Sequence, residues 1–212
     1  MTGPRPTTVF LVRHGLPTSG EHIDPPLSET GQAQAALLAA WLVHEQPVSV
    51  YASDYRRAWQ TAAPLARLLG LEVQQREGLR EWASSRTHYV RPEDLADTPE
   101  GRAFAEGRFE EFVPDHDRVA LRATMIGELR GIGERHPGEK VAAVSHGGAL
   151  NTLLASAVGS GRPFFFNPGY AAISRLQVWP GGRLVVASVN ETAHLAPERL
   201  RAFLTNDRAG TE

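Results

Sequence analysis

The chain has 212 residues, 42% hydrophobic and 22% charged, which is ample for a packed core and too apolar for a disordered chain. Its 22 basic and 24 acidic residues leave a formal net charge of −2, so there is no broad basic field to hold a nucleic-acid backbone. Cysteine is absent, which excludes disulfides, thiolate zinc sites and cysteine nucleophiles. Met1 to Thr8 shows no basic region followed by an apolar stretch, so no signal peptide is read there. The longest apolar run, Ala35 to Val43, has nine residues; a membrane-spanning helix needs about 20. These features read as one soluble, cytoplasmic domain over residues 1–212, with no membrane and no nucleic-acid partner.

Thr8 to Val12 is a β-branched and apolar run, which predicts a buried strand ending at Arg13-His14-Gly15. Ser28 is a candidate helix N-cap, and Gln34 to Gln46 is helical by propensity, with Leu37, Ala40, Trp41 and His44 on one face. Val48 to Ala52 predicts a second strand. Asp54 to Leu69 predicts a helix that aligns Ala58, Ala62, Leu65 and Leu69, with Gly70 as its stop. Leu71 to Gln74 predicts a third strand.

From Trp82 to Pro114 the pattern dissolves into polar, aromatic and proline-containing sequence, read as an insertion with one or two short helices. Val119 to Arg135 predicts a helix, Val141 to Val144 a strand, and Gly148 to Val158 the next helix. Ala172 to Val178 and Arg183 to Val189 predict two late strands joined at Pro180-Gly181-Gly182. Strands alternating with helices predict an α/β fold with a mainly parallel sheet.

The chemistry gathers at strand ends. His14 and His146 each lie just past the carboxyl end of a predicted strand, where ligands of open α/β sheets collect. The glycines that follow, Gly15 and Gly147, suit tight turns and close backbone approach to a ligand. A lone histidine after a strand is usually structural; two such, one preceded by arginine, favour a joint site. Ser53 to Ala62 also starts at a strand end and opens a helix. Its Arg56 and Arg57 would suit an anion at the helix N-terminus, against the plainer reading of two solvated charges. Glu81, past the third strand, is a carboxylate that could serve as proton donor beside them.

Together these segments resemble the histidine phosphatase superfamily, with its phosphoglycerate mutase-like fold. Arg13-His14-Gly15 is similar to the family's signature tripeptide. Ser53 to Ala62 is similar to its serine-aspartate-x-x-arginine-alanine-x-glutamine-threonine-alanine motif, in a frame that selects Arg57 over Arg56. Ser145-His146-Gly147-Gly148 resembles the second histidine motif, and Asn190 to Leu195 the family's C-terminal segment.

The resemblance covers about residues 8 to 195 and implies a three-layer α/β/α fold, with residues 82–114 inserted as a substrate cap. It implies a phosphomonoester hydrolase that forms a phosphohistidine on His14. Arg13, Arg57 and His146 would bind the phosphoryl oxygens, and the two guanidiniums would keep His14 neutral. Glu81 would protonate the leaving oxygen and then activate water. No metal and no cofactor are implied. Asp115-His116-Asp117 reads as a helix start rather than a metal cluster.

The chain departs from the family pattern at Pro17 and Gly20, where many relatives carry a hydroxyl residue and an asparagine. Thr18 and Ser19 are candidate substitutes. Trp82, Arg86 and His88 are candidate substrate contacts, against the plainer readings of packing and a solvated loop. A small phosphorylated metabolite is the expected partner. Phe164-Phe165-Phe166, if exposed, would make a homodimer contact. Cofactor-dependent phosphoglycerate mutase is the enzymatic alternative, although no substrate-loop motif follows Glu81. A catalytically silent phospho-ligand-binding module is a lower alternative, disfavoured because His14 and Glu81 are both present.

Overall fold

The computed structural model describes residues 3–19, 23–81, 89–106, 108, 115–162 and 164–196. The described residues include six strands: β1 (Thr7–Arg13), β2 (Ser49–Ala52), β3 (Val73–Gln75), β4 (Lys140–Ser145), β5 (Ile173–Val178) and β6 (Leu184–Glu191). They also include five α-helices: α1 (Glu29–Leu42), α2 (Arg56–Leu69), α3 (Pro99–Ala105), α4 (Asp115–Arg135) and α5 (Gly147–Ala157). The sheet order is β3-β2-β4-β1-β5-β6. Pairings of β1 with β4, β2 with β4 and β2 with β3 are parallel; β5 pairs antiparallel with both β1 and β6. The sheet is therefore mixed, with a four-stranded parallel part and an antiparallel extension.

The apolar runs of β1 and β4 reflect burial on both faces, as expected of parallel strands covered by helices. Successive residues divide between two cores. Val9, Leu11, Val141 and Ala143 pack with Met125, Leu129 and Ile132 of α4 and Leu150 and Leu153 of α5. Phe10, Val12, Ala142 and Val144 pack with Leu38 and Leu42 of α1 and Ala58, Ala62 and Leu65 of α2. This gives a three-layer α/β/α architecture.

The helices begin and end where local chemistry directs. Ser28 caps α1, its side chain accepting the Gly31 N–H at 3.1 Å. Gly70 ends α2 in the left-handed conformation, with φ of 67°. Between residues 82 and 114 lie a 3₁₀ turn at Pro92–Leu95 and the short α3. Helix α4 starts at Asp115, four residues ahead of the sequence expectation of Val119.

The face shared by Leu37, Ala40, Trp41 and His44 is the outer one; the buried face of α1 is Gly31, Ala35, Leu38, Ala39 and Leu42. Trp41 is 37% exposed. The helix starts at Glu29, and Ala35 to Val43 is apolar on every side, so the run itself carries no phase. Backbone contact sets it instead. A Cβ on Gly31 would lie 2.1 Å from the Leu16 carbonyl oxygen, and one on Gly15 2.7 Å from the Gly31 carbonyl oxygen. Helix α1 thus rests directly on the loop that follows β1.

Gly31→Ala is expected to destabilise the fold by about 1–3 kcal/mol, since backbone rather than a flexible side chain must yield. Urea denaturation monitored by circular dichroism checks this, with Gly127→Ala, where a Cβ meets nothing within 4 Å, as the comparison.

Candidate active site

Strand register places three chemistry-bearing residues side by side. Arg13 of β1 pairs with Ser145 of β4, so His14 and His146 each stand one residue past paired strand ends. The His14 N–H donates to the Ser145 carbonyl at 2.9 Å, and the Ser53 N–H donates to the Val144 carbonyl at 2.9 Å. The chain leaves β1 toward α1 on one face and β4 toward α5 on the other, opening a crevice at the carboxyl ends of adjacent strands. His14 and His146 stand at this crevice with ring centroids 5.1 Å apart.

His14 is 2% exposed, and its Nδ1 lies 2.8 Å from the Gly15 carbonyl oxygen. A carbonyl can only accept, so Nδ1 carries the proton and Nε2 presents a lone pair. Burial holds the His14 pKa well below its usual 6.5, and the charges of Arg57 and Arg13 push it further down. Burial is the larger cause, whereas the sequence reading credited the guanidiniums. His146 is fully buried, and its pKa is lowered likewise, by burial first and then by Arg57, His14 and Arg13.

The two arginines are also almost out of water. Arg13, 8% exposed, donates to the Pro168 carbonyl at 2.6 Å and stacks 3.7 Å from the centre of the Tyr170 ring. Arg57, 2% exposed, pairs with Asp24 at 3.3 Å and lies against the rings of Tyr55 and Tyr89. Arg56 is exposed, whereas Arg57, the arginine that the motif frame selects, is buried. Arg13 Nε, Arg57 Nε and His146 Nδ1 are buried without a hydrogen-bond partner among the described residues. Such groups are costly to bury unless a ligand engages them.

Six further residues of the Ser53 to Ala62 segment have a visible task. Ser53 bonds His146, its Oγ 2.9 Å from Nε2. Asp54 grips Arg80 through both carboxylate oxygens, fixing the residue beside Glu81. Gln60 accepts the Leu27 N–H at 2.7 Å, and Thr61 accepts the Gly15 N–H at 2.9 Å. Ala58 and Ala62 belong to the core. Glu81 Oε2 accepts the Gly148 N–H at 3.0 Å, which sets the carboxyl two residues from His146 at the start of α5.

A family model for the histidine phosphatase superfamily (branch 1) matches residues 9–192. The chain belongs to this superfamily. It is 33% identical over 168 residues to phosphoglycerate mutase-like protein 4 of Arabidopsis thaliana, covering 73% of this chain and 72% of that one. It is 31% identical over 207 residues to the metal-independent phosphoserine phosphatase of the same plant, covering 91% of this chain and 78% of the relative. Among solved structures, a mycobacterial glucosyl-3-phosphoglycerate phosphatase complexed with VO3 superposes with a TM-score of 0.71 at 25% identity, covering 87% of this chain and 99% of that one.

Not every candidate joins the cluster seen in this histidine phosphatase. Thr18 turns its hydroxyl toward the Pro26 carbonyl at 3.5 Å, and Ser19 is exposed. Gly15 and Gly147 do not adopt left-handed conformations. Gly15 is needed for approach to Gly31, and a Cβ on Gly147 would sit 3.3 Å from Arg13 Nε. Their smallness thus serves packing of the chain on itself. The expected anion at the α2 N-terminus is supplied by the protein: Asp24 accepts the Arg56 N–H with both oxygens at 2.9 Å.

Trp82, Arg86 and His88 lie outside the described residues, as does Gly20. Sequence reasoning missed Asp24, Pro168 and Tyr170. Nothing local in Asp24-Pro25-Pro26 or Pro168-Gly169 signals a contact with an arginine. Phe164 is buried and Phe165 is 38% exposed, while Phe166 packs against a core. No group of three or more metal-ligating side chains occurs among the described residues, nor does a helix long and apolar enough to cross a membrane.

The depressed histidine pKa values carry a stability consequence. In the unfolded chain each imidazole titrates near 6.5, whereas the fold keeps His14 and His146 neutral well below that. Below pH 6.5 the unfolded chain therefore binds protons that the fold refuses. Stability should be level above about pH 6.5 with respect to these groups, then fall by about 1.4 kcal/mol per pH unit for each histidine on acidification, until the folded-state value is reached. Urea unfolding from about pH 7.5 to 5 measures the slope, which should flatten in His14→Ala.

Proposed function

We propose that the chain is a metal-independent phosphomonoester hydrolase that acts through a phosphohistidine on His14. The observation that carries this reading is the state of His14. It is buried and neutral, with its Nδ1–H committed to the Gly15 carbonyl and its Nε2 lone pair left for phosphorus. In the first step Nε2 attacks phosphorus, the P–O bond to the leaving group breaks, and protonated Glu81 gives its proton to the leaving oxygen. In the second, Glu81 takes a proton from water as the water oxygen attacks phosphorus. The P–N bond then breaks, returning His14 and releasing phosphate.

Arg13, Arg57 and His146 are the groups we assign to the phosphoryl oxygens. Their three unpartnered nitrogens match the donors that a phosphoryl group seeks, and the guanidiniums bring charge that stabilises the transition state. The same arrangement supplies the electrostatic work that a metal does in other phosphatases. Hydrolysis is favoured over transfer to a second substrate because no mutase substrate-loop motif follows Glu81; relatives named as phosphatases align with 63–91% of the chain, alongside mutase or mutase-like ones at 73–88%. The reading extends to one domain over residues 1–212, with residues 82–114 as its substrate cap. It also extends to a cytoplasmic enzyme for small phosphorylated metabolites that binds no nucleic acid and pairs as a homodimer through the face carrying Phe165.

Phosphate release from a panel of phosphorylated metabolites, assayed in EDTA, tests the proposal. Wild type should keep full activity in the chelator, and His14→Ala should lose at least about 1,000-fold in turnover. Activity lost in EDTA and restored by added metal would overturn the metal-independent mechanism. Glu81→Gln should lower kcat by about 10²–10⁴-fold and change KM only a few-fold. Unchanged turnover would remove Glu81 from the proton-transfer role.

A further inference from the structure

His146 donates or accepts according to which of its nitrogens holds the single proton of a neutral ring. Its two nitrogens differ sharply in surroundings. Nε2 lies 2.9 Å from Ser53 Oγ, whereas Nδ1 is buried with no partner among the described residues. Ser53 is itself fully buried at the end of β2. Its Oγ already accepts the Tyr55 backbone N–H at 3.3 Å. The serine therefore has a lone pair engaged and a hydroxyl proton to give, and Nε2 is the acceptor within reach.

In the opposite tautomer, Nε2–H would donate to Ser53. The hydroxyl proton would then meet no acceptor recorded among the described residues, and Nδ1 would present a lone pair in place of an N–H. Both losses fall in a buried site, where an unmet polar group is expensive. Ionisation offers no escape, because burial and the neighbouring guanidiniums keep the ring neutral. The backbone of His146 cannot adjust freely either, since its carbonyl accepts the Leu150 N–H at 3.0 Å as α5 begins.

We propose that Ser53 is a positioning residue that fixes His146 as the Nδ1–H tautomer, so that a neutral imidazole donates a hydrogen bond to a phosphoryl oxygen. The inference rests on the reading of His146 as a phosphoryl ligand. It gives the first residue of the Ser53 to Ala62 segment a role through His146 rather than on the substrate. It also divides the work of the two imidazoles. Both are Nδ1–H tautomers, but His14 uses its proton on the Gly15 carbonyl and keeps Nε2 as nucleophile, whereas His146 keeps its N–H for the ligand.

Long-range ¹H–¹⁵N correlation spectra of histidine-labelled wild-type protein read the tautomer directly, with His146→Gln to assign the signals. The expected state is Nδ1–H. An Nε2–H signal for His146 overturns the proposal. Ser53→Ala should move the ring toward the Nε2–H form and lower kcat by about 10–100-fold, with KM within about threefold. Ser53→Thr, which retains the hydroxyl, should recover most of that loss. Wild-type kcat in Ser53→Ala also overturns the proposal. If Ser53→Ala fails to fold, the wild-type spectrum decides alone. If wild type releases no phosphate from any substrate, the functional reading fails separately, and the spectrum still settles the tautomer.

Discussion

The structure depends on holding two guanidiniums and two imidazoles together almost out of water. Arg13, His14, Arg57 and His146 are all less than 10% exposed, and the ion pair recorded for them among the described residues is Arg57 with Asp24. Such a cluster is unfavourable in isolation, because buried charge must be met by charge or by oriented dipoles. The fold meets it in two ways. The imidazoles stay neutral, which halves the number of charges. The guanidiniums are surrounded by weaker partners: the Pro168 carbonyl, the face of Tyr170, the rings of Tyr55 and Tyr89, and one carboxylate.

The scaffold explains how that arrangement can be kept rigid. His14 and His146 hang from the ends of adjacent parallel strands, each buried on both faces, and the His14 backbone bonds directly to Ser145. Helix α2 and the turn that precedes it then tie the loops to the sheet. Thr61 holds Gly15, Gln60 holds Leu27, and Ser53 holds His146. Side chains on regular elements keep their geometry better than side chains on loops. The reactive groups here are accordingly at strand ends, while the loops at residues 23–28 and 164–172 supply the compensating contacts.

What was legible in the sequence follows from range. The strands were legible because β1 and β4 are continuous apolar runs, and their ends were legible because polar, glycine-rich segments interrupt those runs. His14 and His146 were legible because each follows such a strand end, whereas Arg57 was told from Arg56 only by its resemblance to the family motif. The buried face of α1 was not, because an all-apolar run has no phase and the deciding contact is between the Gly31 and Leu16 backbones. Asp24, 33 residues from Arg57, and Pro168, 155 residues from Arg13, were illegible for the same reason. Their partners are set by tertiary closure, and a proline-rich turn reads alike whether or not an arginine lies against it.

The same physics links stability to chemistry. Burial that lowers the His14 pKa makes Nε2 a competent nucleophile, yet it removes the hydration that both guanidiniums would otherwise enjoy. The cluster is therefore under-neutralised in the absence of a phosphoryl group, with three nitrogens lacking partners among the described residues. On the proposed reading, a phosphomonoester would bring both the negative charge and the acceptor oxygens that these groups lack, and its binding would relieve a cost already carried by the folded protein. That cost is useful only if the groups do not reorganise when charge moves onto the leaving oxygen. The strand ends, the Gly15 carbonyl on His14 and the Ser53 hydroxyl on His146 are what prevent such reorganisation, and they do so without adding a charge of their own.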